Sequence, residues 1–200
     1  MLRFLLTLAW LACVLYSTVP AFWLAVHPFA SFWRAYRRNP FALLVPVWIA
    51  LWIAVALFTA PWRHLRIYNT AMTWIPATAL LMAGIWIYRR AGSNFSWSQL
   101  GGLPEVRESS GPHPLAATGI RAHVRHPIYL GHLLEMLGWS LGSGLLVCCG
   151  LAVFAVITGA WMVVIEDREL KSRFGEGYQH YKDNVPAIFP RRTPYNPNES

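Results

Sequence analysis

Apolar residues run almost unbroken through positions 4–26, 41–60 and 69–88, and each run approaches or exceeds the roughly 20 residues a helix needs to cross a bilayer. A longer apolar stretch, 128–165, is broken only by Gly142-Ser143-Gly144. That interruption predicts a helical hairpin with arms 128–141 and 145–165. The pattern as a whole predicts an all-α integral membrane protein with about five transmembrane helices. The first hairpin arm has 14 residues, about 21 Å at about 1.5 Å per residue, against a hydrocarbon core of about 30 Å, so it is expected to begin inside the protein. Pro20, Pro46 and Pro76 are expected to bend their helices, which is tolerated where neighbours or water satisfy the freed carbonyls. Arg3 ahead of the first run imitates a signal peptide, but the run continues for 23 residues without a small-residue cleavage site and is read as a retained helix.

The polar intervals complete the outline. Residues 27–40 form a basic connection rich in Phe and Trp, including His27, which reads as an anchor at headgroup level. A short loop, 61–68, carries His64 at the opposite interface. The long polar stretch 89–124 reads as a loop with an ordered turn or two, equally a lid or a connector. Beyond 165, Leu170, Phe174, Tyr178 and Tyr181 recur at i, i+4, i+8 and i+11, so a C-terminal amphipathic helix is expected. Gly175 and Gly177 weaken it and would let the turn bearing Tyr178 and Tyr181 fold back over a pocket. The last ten residues read as a disordered tail. With no repeat and no low-complexity tract, the chain reads as a single membrane domain, 1–200. It divides into 1–90 (three N-terminal transmembrane helices), 91–127 (polar loop), 128–190 (helical hairpin plus C-terminal segment) and 191–200 (tail).

Composition agrees: 56% of residues are hydrophobic and 13% charged, far from an ordinary soluble domain. A net charge of +8 would fit a nucleic-acid partner, but the positions of the charges argue otherwise. Five alternating spans place fourteen Lys and Arg on one side and three, Arg3, Arg63 and Arg66, on the other. That asymmetry puts the C-terminus in the cytoplasm and the N-terminus on the opposite side, and anionic lipid accounts for the basicity without nucleic acid. Cys13, Cys148 and Cys149 lie in apolar runs without zinc-site spacing and read as small core residues. No metal cluster is evident. Gly142 and Gly144 lack the third glycine and the preceding strand of a dinucleotide fingerprint, so no Rossmann domain is expected.

Three groups of residues can carry chemistry. At Arg125-His126-Pro127-Ile128-Tyr129-Leu130-Gly131 two cations stand at the mouth of a membrane segment, where they must meet anions or stay wetted. On the helix that follows, Gly131, Glu135, Gly138 and Gly142 share one face, so another backbone can come close. Glu135 in that stripe faces protein or a ligand. It is either paired with His132 or buried protonated, or it handles substrate. At the end of the last span, Asp167 has Lys171 at i+4 and Glu169 has Arg173 at i+4, whereas Glu166 has no local partner and calls for a distant cation or a ligand cation. A ligand with both a carboxylate and an ammonium would satisfy Arg125/His126 and Glu166 together, and the amino-acid end of S-adenosylmethionine is such a ligand.

Residues 85–190 resemble the isoprenylcysteine carboxyl methyltransferase and phospholipid methyltransferase group of integral membrane enzymes. The resemblance rests on "RHPIYLG", "EDREL", "FGEGYQHY" and "VPAIFP", which are specific jointly and weak singly. It implies an S-adenosylmethionine pocket between the last two membrane helices and the C-terminal segment. Carried over by position, Arg125, His126, Pro127, Tyr129 and Gly131 would form one wall, Glu166 would take the ammonium, Leu170 follows in the same motif, and Tyr178 and Tyr181 would line the nucleoside side. Asp167 departs from the family's second Glu, and Arg121 and His123 stand where relatives often show Tyr. The implied reaction is in-line methyl transfer to a lipophilic acceptor entering from the bilayer, such as an isoprenylcysteine carboxylate or a related small molecule. An acceptor that carries a proton would need a base, for which Glu135, His132 and His126 are candidates. No obligate protein partner is inferred. The alternatives are a phospholipid amine N-methyltransferase and a non-enzymatic haem- or quinone-binding membrane protein.

Overall fold

The computed structural model describes residues 2–35, 41–92 and 115–196. These form α1 (Leu2–Val26), the short α2 (Ala30–Ala35), α3 (Phe41–Thr59), α4 (Trp74–Gly92), α5 (Pro127–Ser143) and α6 (Leu146–Asn184). Among the described residues the only β pairing is a single bridge between Arg66 and Leu145. The fold is all-α, and a helix forms on each of the five apolar runs. Three segments, Leu2–Phe29, Phe41–Trp62 and Leu146–Asn184, are long and apolar enough to cross a membrane by length and composition. α4 ends in Arg89 and Arg90, which lower its hydropathy, and α5 has only 17 residues. Most of α3 is exposed, with only Leu44 and Thr59 buried, so its apolar surface is one that lipid can cover.

α5 is the centre of the fold, held by α1, α4 and α6. Its glycine stripe is the reason α4 lies so close. A Cβ added at Gly142 would stand 2.6 Å from the Trp74 ring, and one at Gly138 would stand 2.9 Å from Leu81. Gly84 of α4 answers from the other side, where a Cβ would be 2.7 Å from Glu135 Cγ. Contacts this tight are what small residues permit between membrane helices. On its other flank α5 meets α1 and α6 through a core that includes Trp10, Cys13, Val14, Met136 and Cys148. Cys13 and Cys148 are buried there as free thiols.

The hairpin turn sits slightly later than the pattern placed it, because α5 runs to Ser143 and α6 begins at Leu146. Gly144 makes the turn with φ +63°, and a Cβ there would also stand 2.7 Å from the Tyr68 carbonyl. Backbone bonds from Ile67 N to Gly144 O (2.8 Å) and from Leu146 N to Leu65 O (3.0 Å) fasten it to the 61–68 loop. Such a left-handed residue after a helix strongly favours glycine.

The last helix is continuous from the membrane arm through the expected amphipathic segment, except for a break at Gly175 (φ 58°, ψ −134°). A Cβ at Gly175 would meet nothing within 4 Å, so the backbone conformation and not space requires glycine. After the break the chain folds back, burying Tyr178, Tyr181 and Val185 with Ala117. Residues 191–196 are not the loose tail that was expected. Arg191 N donates to His123 O and Tyr195 N to Ala122 O, both at 2.9 Å, and Tyr195 packs on Tyr181. The end of the polar stretch carries an ordered turn, Gly119–Ala122. Residues 93–114, on which the choice between lid and connector depends, lie outside the described residues.

Candidate functional site

The site is built where the N-terminus of α5 meets the middle of α6. His126 caps α5 and Pro127 occupies its first turn, where a missing N–H costs nothing. The backbone just before that proline pairs with the chain leaving α6: Arg125 N donates to Pro186 O (2.9 Å) and His126 N to Ala187 O (3.0 Å). The "RHP" and "VPAIFP" motifs are therefore two sides of one backbone contact.

Asp167 lies at the centre, 4% exposed. Its Oδ2 accepts from Arg125 Nη2 at 2.9 Å and faces Lys182 Nζ at 3.2 Å, while its Oδ1 accepts from His126 Nε2 at 3.0 Å and from the Tyr178 hydroxyl. A buried carboxylate is tolerable when its lone pairs are filled in this way. Arg125 also donates through Nη1 to the carbonyls of Lys182 (2.8 Å) and Val185 (2.5 Å), closing the C-terminal end of α6. The expected pairing of Asp167 with Lys171 does not form. Asp167 lies four residues after Val163 in the buried stripe of α6, whereas Lys171 is exposed, so tertiary partners displace the local one.

Glu166 behaves as its lack of a local partner predicts: it meets a distant cation, with Oε2 at 3.5 Å from His126 Nδ1, and also hydrogen-bonds Tyr129. Its side chain is 22% exposed, against 5% for Asp167, so it is the open carboxylate of the pair. His126 thus faces a carboxylate from each ring nitrogen. Burial works against its charge, but Glu166 and the bond to Asp167 outweigh that and push its pKa up to about 9. Arg125 Nε is buried without a hydrogen-bond partner among the described residues.

His27 is a member of this network that the sequence did not single out. It was read as part of an interfacial anchor, yet its Nδ1 lies 2.5 Å from Glu169 Oε2. The expected Glu169–Arg173 pair is present but looser, at 3.8 Å. His27 directly follows α1, far from α6 in sequence, and no local spacing connects the two. Lys182 was missed for a related reason, since the turn at Gly175 alone brings it back to Asp167.

Of the residues expected in the pocket, Arg125, His126, Pro127, Tyr129, Glu166 and Tyr178 come together here. Leu170 packs with Tyr178 and Tyr181, and the Tyr181 hydroxyl donates to Arg121 O at 2.7 Å. Gly131 lies further along α5, against the Tyr88 ring. His132 and Glu135 are further still, in a separate polar group between α1, α4 and α5. There the Tyr16 hydroxyl donates to Glu135 Oε2 at 3.1 Å, so Glu135 takes its partner from α1 and not from His132.

The chain is therefore an all-α membrane protein in which charged groups gather where the N-terminus of α5 meets the middle of α6. Its curated relatives are methyltransferases. It is 29% identical to protein-S-isoprenylcysteine O-methyltransferase of Mus musculus over 147 residues, which cover 71% of this chain and 49% of that protein. It is 27% identical to isoprenylcysteine O-methyltransferase B of Arabidopsis thaliana over 75% of this chain and 73% of the relative. Over a shorter stretch, 71 residues, it is 37% identical to methanethiol S-methyltransferase 2 of Bradyrhizobium diazoefficiens, covering 34% of this chain and 26% of that one. The chain spans about half the length of the mouse relative. No family model and no solved structure matches it. The similarity to isoprenylcysteine methyltransferases read from the motifs is thus supported along most of the chain.

Proposed function

We propose that the chain is a membrane methyltransferase that uses S-adenosylmethionine and acts on a lipophilic acceptor, such as an isoprenylcysteine carboxylate or a related membrane-embedded small molecule. The observation that carries this reading is the pairing of a buried, unsatisfied donor, Arg125 Nε, with a half-open carboxylate, Glu166. An amino-acid head group is complementary to both: its carboxylate suits the cationic side and its ammonium suits Glu166. The donor set therefore fits the cofactor. Arg125, His126, Pro127, Tyr129 and Gly131 would form one wall and Glu166 would hold the ammonium, with Leu170, Tyr178 and Tyr181 on the nucleoside side. Bound there, S-adenosylmethionine supplies an electrophilic methyl group. The protein's part is to orient the reactants, which is worth about 7 to 11 kcal/mol for well-placed groups, and to accept a proton where the acceptor has one, with Glu135 and His132 as candidates. The basic loops and the site face the cytoplasm in this reading. The names of the relatives cover methyl transfer to oxygen and to sulfur, so either acceptor atom is open.

Calorimetry in detergent tests the proposal. The folded protein should bind S-adenosylhomocysteine, and Glu166→Gln should weaken binding at least about tenfold, the loss of a charge-assisted contact of about 1.4 kcal/mol or more. No binding by the wild-type protein overturns the methyltransferase reading, whereas unchanged binding by the variant overturns only the role of Glu166.

A further inference from the structure

The polar group between α1, α4 and α5 is not explained by the charged cluster. His132 Nδ1 lies 2.8 Å from the Ile128 carbonyl. A carbonyl oxygen can only accept, so Nδ1 carries the proton and a neutral His132 presents a lone pair at Nε2. No partner for that nitrogen is found among the described residues. The ring is held edge-on by Tyr16 and Tyr88, with centroids at 5.2 and 5.3 Å and interplanar angles of 86° and 84°. The Tyr88 hydroxyl is buried without a hydrogen-bond partner among the described residues. This geometry depends on two glycines. A Cβ at Gly131 would press on the Tyr88 ring at 3.1 Å, and one at Gly84 would strike Glu135.

Of the three base candidates, His126 is engaged by Glu166 and Asp167, and the other two, Glu135 and His132, are not equivalent. Glu135 is 7% exposed and accepts from Tyr16. His132 is only half-buried, with its tautomer fixed by the backbone and its basic nitrogen unused. It also lies in a suitable place. Six residues separate it from His126, about 9 Å along the helix, and Tyr129, which hydrogen-bonds Glu166, is one turn away.

We propose that Nε2 of His132 is the general base of the methyl transfer, and that the acceptor is a lipophilic thiol and not a carboxylate. This inference rests on the methyltransferase reading. A carboxylate is already ionised and needs no base, and the Glu135 carboxyl group beside the ring is a poor neighbour for a second one. A thiol is more acidic than a phenol or an ammonium, so of the proton-bearing acceptors proton transfer to an imidazole is least uphill from a thiol. The acceptor's S–H bond gives its proton to Nε2, leaving an imidazolium. The thiolate sulfur then forms a bond to the methyl carbon as that carbon's bond to the cofactor sulfur breaks. The electron pair stays on the cofactor sulfur, which becomes a neutral thioether. Tyr16 and Tyr88 are positioning residues, and the free Tyr88 hydroxyl is available to the sulfur.

Two measurements test this. In cofactor-free protein labelled with ¹⁵N-histidine, His132, assigned through His132→Gln, should show the Nδ1-protonated neutral tautomer, with an Nε2 resonance that moves on adding a long-chain alkanethiol. The opposite tautomer, or an unmoved resonance, overturns the proposal. In turnover, His132→Gln should lower kcat for the alkanethiol at least about 100-fold, with little change in S-adenosylhomocysteine affinity. It should lower kcat far less for an arylthiol acidic enough to be ionised at the assay pH. Equal losses with both thiols, or faster wild-type turnover of a farnesylcysteine carboxylate than of the alkanethiol, overturn it. Failure of the wild-type protein to bind S-adenosylhomocysteine would instead strike the underlying reading, and the tautomer measurement separates the two cases.

Discussion

α5 carries two polar groups of opposite character. At its N-terminus, Asp167 collects Arg125, His126, Tyr178 and Lys182, and its lone pairs are filled. Further along, between α1 and α4, the Tyr88 hydroxyl and His132 Nε2 have no hydrogen-bond partner among the described residues, and Glu135 accepts from Tyr16. The first arrangement is what a fold needs to bring charges into a membrane-facing interior. The second leaves hydrogen-bonding capacity unused where water is scarce, which costs stability unless something else occupies it. The contrast also separates two adjacent carboxylates. Asp167 is closed, whereas Glu166 shares the partner His126 with it yet stays partly exposed.

The largest effect should follow from opening the group around Asp167. Asp167→Asn leaves Arg125 and His126 buried against a neutral amide and should cost about 3 to 5 kcal/mol, read by denaturant unfolding in detergent. Glu166→Gln should cost less than half as much. Equal losses would abolish the distinction between the two carboxylates.

A smaller effect should appear with pH. The pKa of His126 is about 9 in the folded chain, above its unfolded value near 6.5. Its stabilisation is therefore complete below about pH 6.5 and is lost as pH rises through about 9. The melting temperature should fall between pH 7 and 9.5, and His126→Gln, though less stable throughout, should flatten that slope. A wild-type slope that survives in the variant would assign the titration to another group.

The smallest effect belongs to the unsaturated group. Tyr88→Phe removes a hydroxyl with no hydrogen-bond partner among the described residues, so stability should change by less than about 0.5 kcal/mol or rise slightly. A loss of 1 kcal/mol or more would mean that the hydroxyl is satisfied and the group is as complete as the first.

The residues differ in how far their roles could be read from sequence. The apolar runs set the five helices because burial in lipid depends on length and composition, which are local properties. The stripe Gly131, Gly138 and Gly142 announced a close helix contact, but that α4 fills it is a tertiary fact. Glu166 was singled out because i±3 and i±4 neighbours can be counted, and it does meet a distant cation. The same counting failed for Asp167, because a weak helical pair of a few tenths of a kcal/mol yields to a buried set of four donors. The signal that could have corrected it was its register with Met162 and Val163 on the buried stripe.

By itself, then, the sequence determined the class of protein, the order of its helices and the motif residues at the mouth of α5. These follow from periodicity, hydropathy and local spacing. Only the tertiary structure decided that His27 reaches Glu169, that the turn at Gly175 returns Tyr178 and Lys182 to Asp167, and that His132 stands between Tyr16 and Tyr88. Each of those contacts joins side chains from different helices or from the two sides of the break at Gly175, and its energy depends on a distance of a few ångströms that no spacing along the chain encodes.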